Sequence, residues 1–125
     1  MTGTEAFGPD RRLPNKAAFD HVFAAPDIRL RKHPFSILAR HRDGDARLGM
    51  VIGKRHARHA VDRNRIRRIL RDRFRRSALR GLDIIVLARV GAGDVESPVI
   101  TESILWVLDR LDRDQRSSPP VQATP

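Results

Sequence analysis

Cysteine is absent from the chain, lysine occurs three times, aromatic residues make up 5%, and no long apolar run is found. Without cysteine there can be no disulfide framework, no thiolate nucleophile and no Cys-based zinc site. No apolar stretch approaches the ~18 residues that a bilayer span needs. The N-terminus, MTGTEAFGPDRRLP, lacks the apolar core of a secretory signal, so a cytoplasmic protein is expected. Clustered carboxylates are also missing. Acids fall in a turn (Asp43, Asp45), at helix boundaries, or on the last helical segment (Asp109, Asp112). A protein that hydrolyses phosphodiesters with two metals needs them together. His56 and His59 can share a face by spacing, but no third ligand accompanies them, and no metal site is expected.

What is present is charge, concentrated in one place. Residues 54–80 carry twelve Lys/Arg against Asp62 and Asp72, a net of +10, which equals the net charge of the whole 125-residue chain. The remainder is neutral. Charge this dense repels itself and is kept where a polyanion, most often nucleic acid, offsets it. The preference for Arg over Lys, 22 to 3, suits bidentate phosphate recognition. A G+C-rich genome would leave the same bias.

Length bounds the chain to one domain with a modest core. Residues 1–10 and 114–125 read as disordered tails, the latter through Ser117-Ser118-Pro119-Pro120, and leave a domain over 11–113. Asn15 caps a short helix bearing Phe19, Val22 and Phe23. Period-two alternation marks a strand over Pro34–Arg42, and Asp43-Gly44-Asp45 a turn. Leu48, Met50 and Ile52 then lie on a returning strand, and a further edge strand fits Ile28–Lys32. Leu82–Arg89 is an apolar run between glycines, expected to be covered on both faces. Ser97-Pro98 starts a final helix with Ile100, Ile104, Leu108 and Leu111 buried. Trp106 falls opposite that stripe and has no functional reading.

The basic segment is a helix over His59–Ser77. At 100° per residue Ile66, Ile69, Leu70 and Phe74 share one face. Asn64, Arg67, Arg68, Arg71 and Arg75 occupy the other, flanked by Arg65 and Arg76, while Arg73 must snorkel from the apolar side. Only Asp62 and Asp72 can pair with them, which leaves most of these arginines without an acid. A rail for phosphates follows.

Arg47-Leu48-Gly49-Met50-Val51-Ile52-Gly53-Lys54-Arg55 followed by Ala60-Val61-Asp62-Arg63-Asn64-Arg65-Ile66-Arg67-Arg68 closely resembles the bacterial ribonuclease P protein subunit. The Arg-Asn-Arg core with Ile-basic-Arg after it is that family's signature, and the likeness extends over about 100 residues, from Arg12-Leu13 through Phe19 and Phe23 to Ile84–Arg89. The resemblance implies an α+β domain in the order α-β-β-β-α-β-α: a four-stranded mixed sheet, three helices, and a left-handed βαβ crossover. That hand departs from the usual preference.

The resemblance also implies a function. Such proteins assist a catalytic RNA that removes the 5′ leader of precursor tRNA with Mg²⁺ held mainly by the RNA. The polypeptide itself is inactive and is expected to bind its RNA 1:1. Arg63, Asn64, Arg65, Arg67, Arg68, Arg71 and Arg75 are then the RNA-binding candidates. Phe19, Phe23 and Phe35, with Arg12, Lys54, Arg55 and Arg89, are candidates for a cleft that takes the single-stranded leader, since aromatic faces stack on bases without reading sequence. The chain departs from many relatives at Leu38, where they carry an aromatic residue, and at Val90, where they often carry a base. The alternative is a structural, ribosome-associated RNA-binding protein. A DNA-binding regulator fits less well, because strands rather than a partner helix precede the basic helix.

Overall fold

A computed structural model of the protein describes residues 11–117. The expected 1–10 tail and the end of the C-terminal tail lie outside the described residues. The elements run α1 (Lys16–Ala24), β1 (Ile28–Lys32), β2 (Phe35–Asp45), β3 (Arg47–Val51), α2 (Ala60–Arg76), β4 (Arg80–Ala88) and α3 (Ser97–Ser117), with a 3-10 turn at Ala92–Asp94. The expected order therefore holds. Asn15 caps α1 as its sequence suggests, its side-chain oxygen accepting from the Ala18 N–H at 3.0 Å.

The sheet order is β1-β2-β4-β3. β1 and β2 form a hairpin and β2 pairs antiparallel with β4, whereas β3 pairs parallel with β4. β3 returns antiparallel to β2, as expected, but does not pair with it. β4 takes the place between them. Its run Ile84-Ile85-Val86 is 0–1% exposed and needs cover on both faces, which only a central strand provides. A charged residue directly precedes that run. Asp83 is 4% exposed and is held by Arg47 through Nε at 2.8 Å and Nη2 at 2.9 Å. This hydrogen bonding raises the Arg47 pKa.

Pleating divides the side chains between two faces. Phe35, Ile37 and Ala39 of β2, Leu48 of β3, and Ile84, Val86 and Ala88 of β4 form the main core with Ile66, Leu70 and Phe74 of α2 and Ile100, Ile104 and Leu111 of α3. α1 lies on the opposite face, where Val22 packs with Leu13 and Ile85.

The crossover hand follows from one hydrogen bond. Leu48 points toward α2, and its carbonyl accepts from the Leu13 N–H, on the edge away from β4. For L-residues a strand running upward with that side chain toward the viewer carries its carbonyl on the right. β4 is then on the left, so the β3–α2–β4 connection is left-handed. This is the hand the resemblance implied and physics disfavours.

α3 runs to Ser117, past the boundary expected at residue 113. Among the described residues, the last buried side chain of α3 is Leu111. Beyond it, ion pairs at i,i+4 spacing, Asp109–Arg113 at 2.8 Å and Arg110–Asp114 at 3.6 Å, favour continued helix.

Candidate nucleic-acid interface

α2 docks by Ile66, Leu70 and Phe74, all 2% exposed or less. Ile69, expected on the same stripe, is half-buried at its edge. Arg11 lies over the Phe74 ring at 5.3 Å. The outer side of the helix is a shallow groove lined by Asn64, Arg67, Arg68, Ile69, Arg71, Asp72 and Arg75. Asn64, Arg67, Arg68, Arg71 and Arg75 are the residues that helical spacing grouped together; Ile69, from the edge of the apolar stripe, and Asp72, the one acid, complete the lining. A smaller recess at the start of α2 is lined by Lys54, Arg55, His56, Arg58 and His59 with Gly91 and Asp94.

Several arginines are engaged by the protein, and not by acids alone. Arg65 donates to Val95 O and Ser97 Oγ, both at 3.0 Å, to Gly93 O at 3.1 Å and to Asp62 Oδ1 at 3.2 Å. It is a clamp fastening α2 to the segment before α3. Arg65, expected at the flank of the phosphate rail, thus spends its guanidinium on the fold as well. Arg63 donates to the carbonyls of Ala57 at 2.9 Å and Arg58 at 3.0 Å, pinning the basic loop ahead of the helix. Arg67 reaches Ile52 O at 3.2 Å, and Arg75 pairs with Asp72 at 2.7 Å. Sequence spacing cannot show these bonds, because main-chain carbonyls carry no sequence signature. Asn64 and Arg68 remain exposed.

Arg71 is the member under strain. Its Nε is buried and has no hydrogen-bond partner among the described residues. Burial, then repulsion from Arg12 and Arg67, lowers the pKa of its guanidinium. Desolvated charge of one sign gathers here, and an oxyanion would relieve it.

On the other side of the sheet, Phe19 packs partly buried over Gly49. A methyl group at Gly49 would stand 2.6 Å from the Phe19 ring and 2.7 Å from Leu13, so only glycine fits beneath the ring. Phe23, one turn further along α1, is 42% exposed. Phe35 is 0% exposed and belongs to the α2–α3 core. Its expected place in the cleft is corrected. Alternation along β2 turns Phe35 away from α1 and turns Ser36 and Leu38 toward it. Lys54, Arg55 and Arg89 are exposed just past the ends of β3 and β4, which run parallel, so all three stand at one end of the sheet. Arg12 bridges to Leu48 along the outer edge of β3 and lies between the two surfaces.

Trp106 is 39% exposed, with the Lys32 ammonium 5.1 Å and the Arg110 guanidinium 5.9 Å from its ring. Among the described residues, no three His, Asp or Glu side chains come together as a metal site. No helix among them is long and apolar enough to cross a membrane.

The family model for ribonuclease P matches residues 7–112. The ribonuclease P protein component of Pseudomonas entomophila is 40% identical over 121 residues, covering 94% of this chain and 90% of that protein. Its counterpart in Pseudomonas putida is 38% identical over 123 residues, with 96% and 92% covered. Among solved structures, the RNase P protein of Staphylococcus aureus superposes with a TM-score of 0.71 at 27% identity, over 81% of this chain and 94% of that one. The RNase P protein of Thermotoga maritima, in complex with 1-(4-fluorophenyl)-2-thiourea, gives 0.70 at 28% identity over 79% and 98%. With the signature Arg63-Asn64-Arg65 on the helix that follows β3, as in the family pattern, the chain belongs to the ribonuclease P protein family.

Proposed function

We propose that the protein binds the catalytic RNA of ribonuclease P through the outer groove of α2 and holds the 5′ leader of precursor tRNA against the α1 face of the sheet. In this way it assists removal of the leader. The observation that carries this reading is the guanidinium cluster of Arg12, Arg67 and Arg71, where the buried Arg71 Nε has no partner among the described residues. Folding leaves that group desolvated and unsatisfied, a cost that a phosphate oxygen offsets by accepting its hydrogen. Arg68, Asn64 and Arg75 extend the contact along the groove, Asn64 able to donate to or accept from a base edge or a 2′-OH.

The chemistry in this reading belongs to the RNA and the Mg²⁺ it holds. The protein contributes fixed positive charge, which reduces phosphate repulsion that cations must otherwise offset. It needs no general base of its own. The two surfaces divide the labour, with arginines for the structured RNA and exposed aromatic faces for an unpaired leader of variable sequence.

Cleavage of precursor tRNA by the cognate catalytic RNA, with and without the protein across a Mg²⁺ series, tests the assignment. The expected result is a lower Mg²⁺ requirement with the protein and no cleavage by protein alone. Correct 5′ processing by protein freed of all RNA would overturn it, as would a Mg²⁺ requirement the protein leaves unchanged.

A further inference from the structure

The two faces of the sheet are covered unequally. On the α2–α3 side, Phe35, Ile37, Ala39, Ile84, Val86 and Ala88 are at most 4% exposed. On the α1 side, Ser36, Leu38, Val51 and Leu87 are all half-exposed. A helix of 9 residues covers only part of the sheet. α1 crosses from Gly49, under Phe19, to Arg40, whose Nη1 donates to His21 O at 2.8 Å. The region toward the C-terminal ends of β3 and β4 is left open, floored by Leu38, Val51 and Leu87.

The outer strand β1 borders that open region, and its charge is unassigned. Register sets Arg29 opposite Leu38 and Arg31 opposite Ser36. Directly paired residues project on the same side of a sheet, so both arginines stand on the α1 face at its free edge. Both are exposed, and among the described residues neither side chain has a hydrogen bond or an ion pair. Two residues of strand separate them by about 7 Å, comparable to the step between successive phosphates of an extended single strand.

Acids nearby do not neutralise this row. Asp83 is held by Arg47 and lies 3.5 Å from Arg42. Asp20 of α1 pairs with Lys16 at 2.8 Å. Asp27, at the start of β1, accepts from the His41 N–H at 2.9 Å. Asp27 keeps its charge, but it stands at the start of the strand. Beyond it the described residues give an apolar floor with cations along one wall, which suits a flexible polyanion that carries flat, apolar faces. Single-stranded RNA has that chemistry.

We propose that Arg29 and Arg31 bind successive backbone phosphates of the 5′ leader as it crosses the open half of the sheet, while Leu38, Leu87 and the α1 phenylalanines take its bases. The assignment rests on the leader-binding reading above and adds a β1 wall to the cleft. The row is backbone-directed and does not read sequence, since a guanidinium on a phosphate carries no base information.

The test uses the full chain reconstituted with its cognate RNA. Affinities are measured for precursor tRNA with a long leader and for leaderless tRNA, over a range of salt. The variants are Arg29→Ala with Arg31→Ala, and Arg29→Lys with Arg31→Lys. Both sites are exposed, and an unchanged melting temperature verifies that each variant folds. The alanine pair is expected to weaken leader-bearing precursor about 2- to 30-fold, the range for two exposed ionic contacts. It lowers the slope of log K against log salt by about 1.4. Leaderless tRNA binds as before, and the lysine pair keeps most of the slope. Equal losses with and without a leader, or an unaltered slope, overturn the β1 assignment while leaving the leader reading intact. A wild-type holoenzyme that binds both substrates alike overturns the leader reading itself, and the β1 assignment with it.

Discussion

Arg65 and Ser97 are 32 positions apart in the chain, yet the guanidinium of one donates to the hydroxyl of the other at 3.0 Å. That bond, with those to Gly93 O and Val95 O, ties the first turns of α2 to the start of α3. Gly93 also meets the loop before α2, its N–H donating to His56 O at 3.2 Å. Neighbouring residues of the signature helix thus serve different ends: Arg65 fastens the fold, while Asn64 and Arg68 are exposed on its outer side.

Arg65→Ala should therefore lower stability, by about 2–3 kcal/mol for several hydrogen bonds from one charged group, and be visible as a lower melting temperature. Its effect on RNA binding should leave the salt slope unchanged, because no counterion-releasing contact is lost. Arg68→Ala should do the reverse, with melting unaltered and the slope reduced by about 0.7–0.9. Paired melting curves and salt titrations check both. A reduced slope for the Arg65 variant would return that residue to the RNA contact surface.

Arg71 offers a trade between stability and binding. Arg71→Met keeps the packing of the stem and removes a guanidinium whose Nε is buried without a partner among the described residues. The free protein should become more stable by about 1 kcal/mol, the lower end of the range for an unsatisfied buried polar group. Affinity for the catalytic RNA should fall. Thermal melting of the free protein and RNA titration make the check, and a destabilised variant would indicate that Arg71 already has a partner within the fold.

Much of the architecture was legible in the sequence because periodicity reports burial directly. The stripe Ile66, Leu70, Phe74 located α2 and its docking face, and Asn15 located the start of α1. What stayed hidden is non-local. That β4 separates β2 from β3 depends on which strand needs cover on both faces, and Asp43-Gly44-Asp45, read as a turn in the sequence, is instead the irregular end of β2, with Gly44 at φ 100°. Phe35 and Phe23 are both isolated phenylalanines in sequence, and only the pleat and the position of α1 assign one to the core and the other to the surface. Arg29 and Arg31 alternate on a short edge strand, a pattern that also fits ordinary surface charge. Their neighbours Leu38 and Ser36 had to be placed on the open face before they acquired a meaning.

Gly49 tests whether α1 is seated as described. Gly49→Val puts carbon where the Phe19 ring and Leu13 already stand, at 2.6–2.7 Å for the first added atom. Either α1 lifts or the ring leaves the sheet. Overpacking of this kind costs typically about 1–3 kcal/mol. The expected outcome is a lower melting temperature together with weaker binding of leader-bearing precursor. Binding to the catalytic RNA through α2, on the other face, should persist in the folded fraction.

The last prediction sets two phenylalanines against each other. Phe23 is 42% exposed and Phe35 is 0% exposed, so one side-chain deletion should act on binding and the other on folding. Phe23→Ala removes little buried surface and should leave melting nearly unchanged. A stacked base is worth about 1–3 kcal/mol, so precursor with a leader should bind roughly five- to 150-fold more weakly, and leaderless tRNA equally well. Phe35→Ala opens a cavity beneath α2 and α3 and should cost about 3–5 kcal/mol of stability. In the protein that remains folded, the preference for leader-bearing over leaderless substrate should be retained. Melting curves combined with affinities for the two substrates separate the cases. If Phe23→Ala instead unfolds the protein or weakens both substrates alike, bases do not stack on Phe23, and the α1 side of the cleft reduces to Phe19 alone.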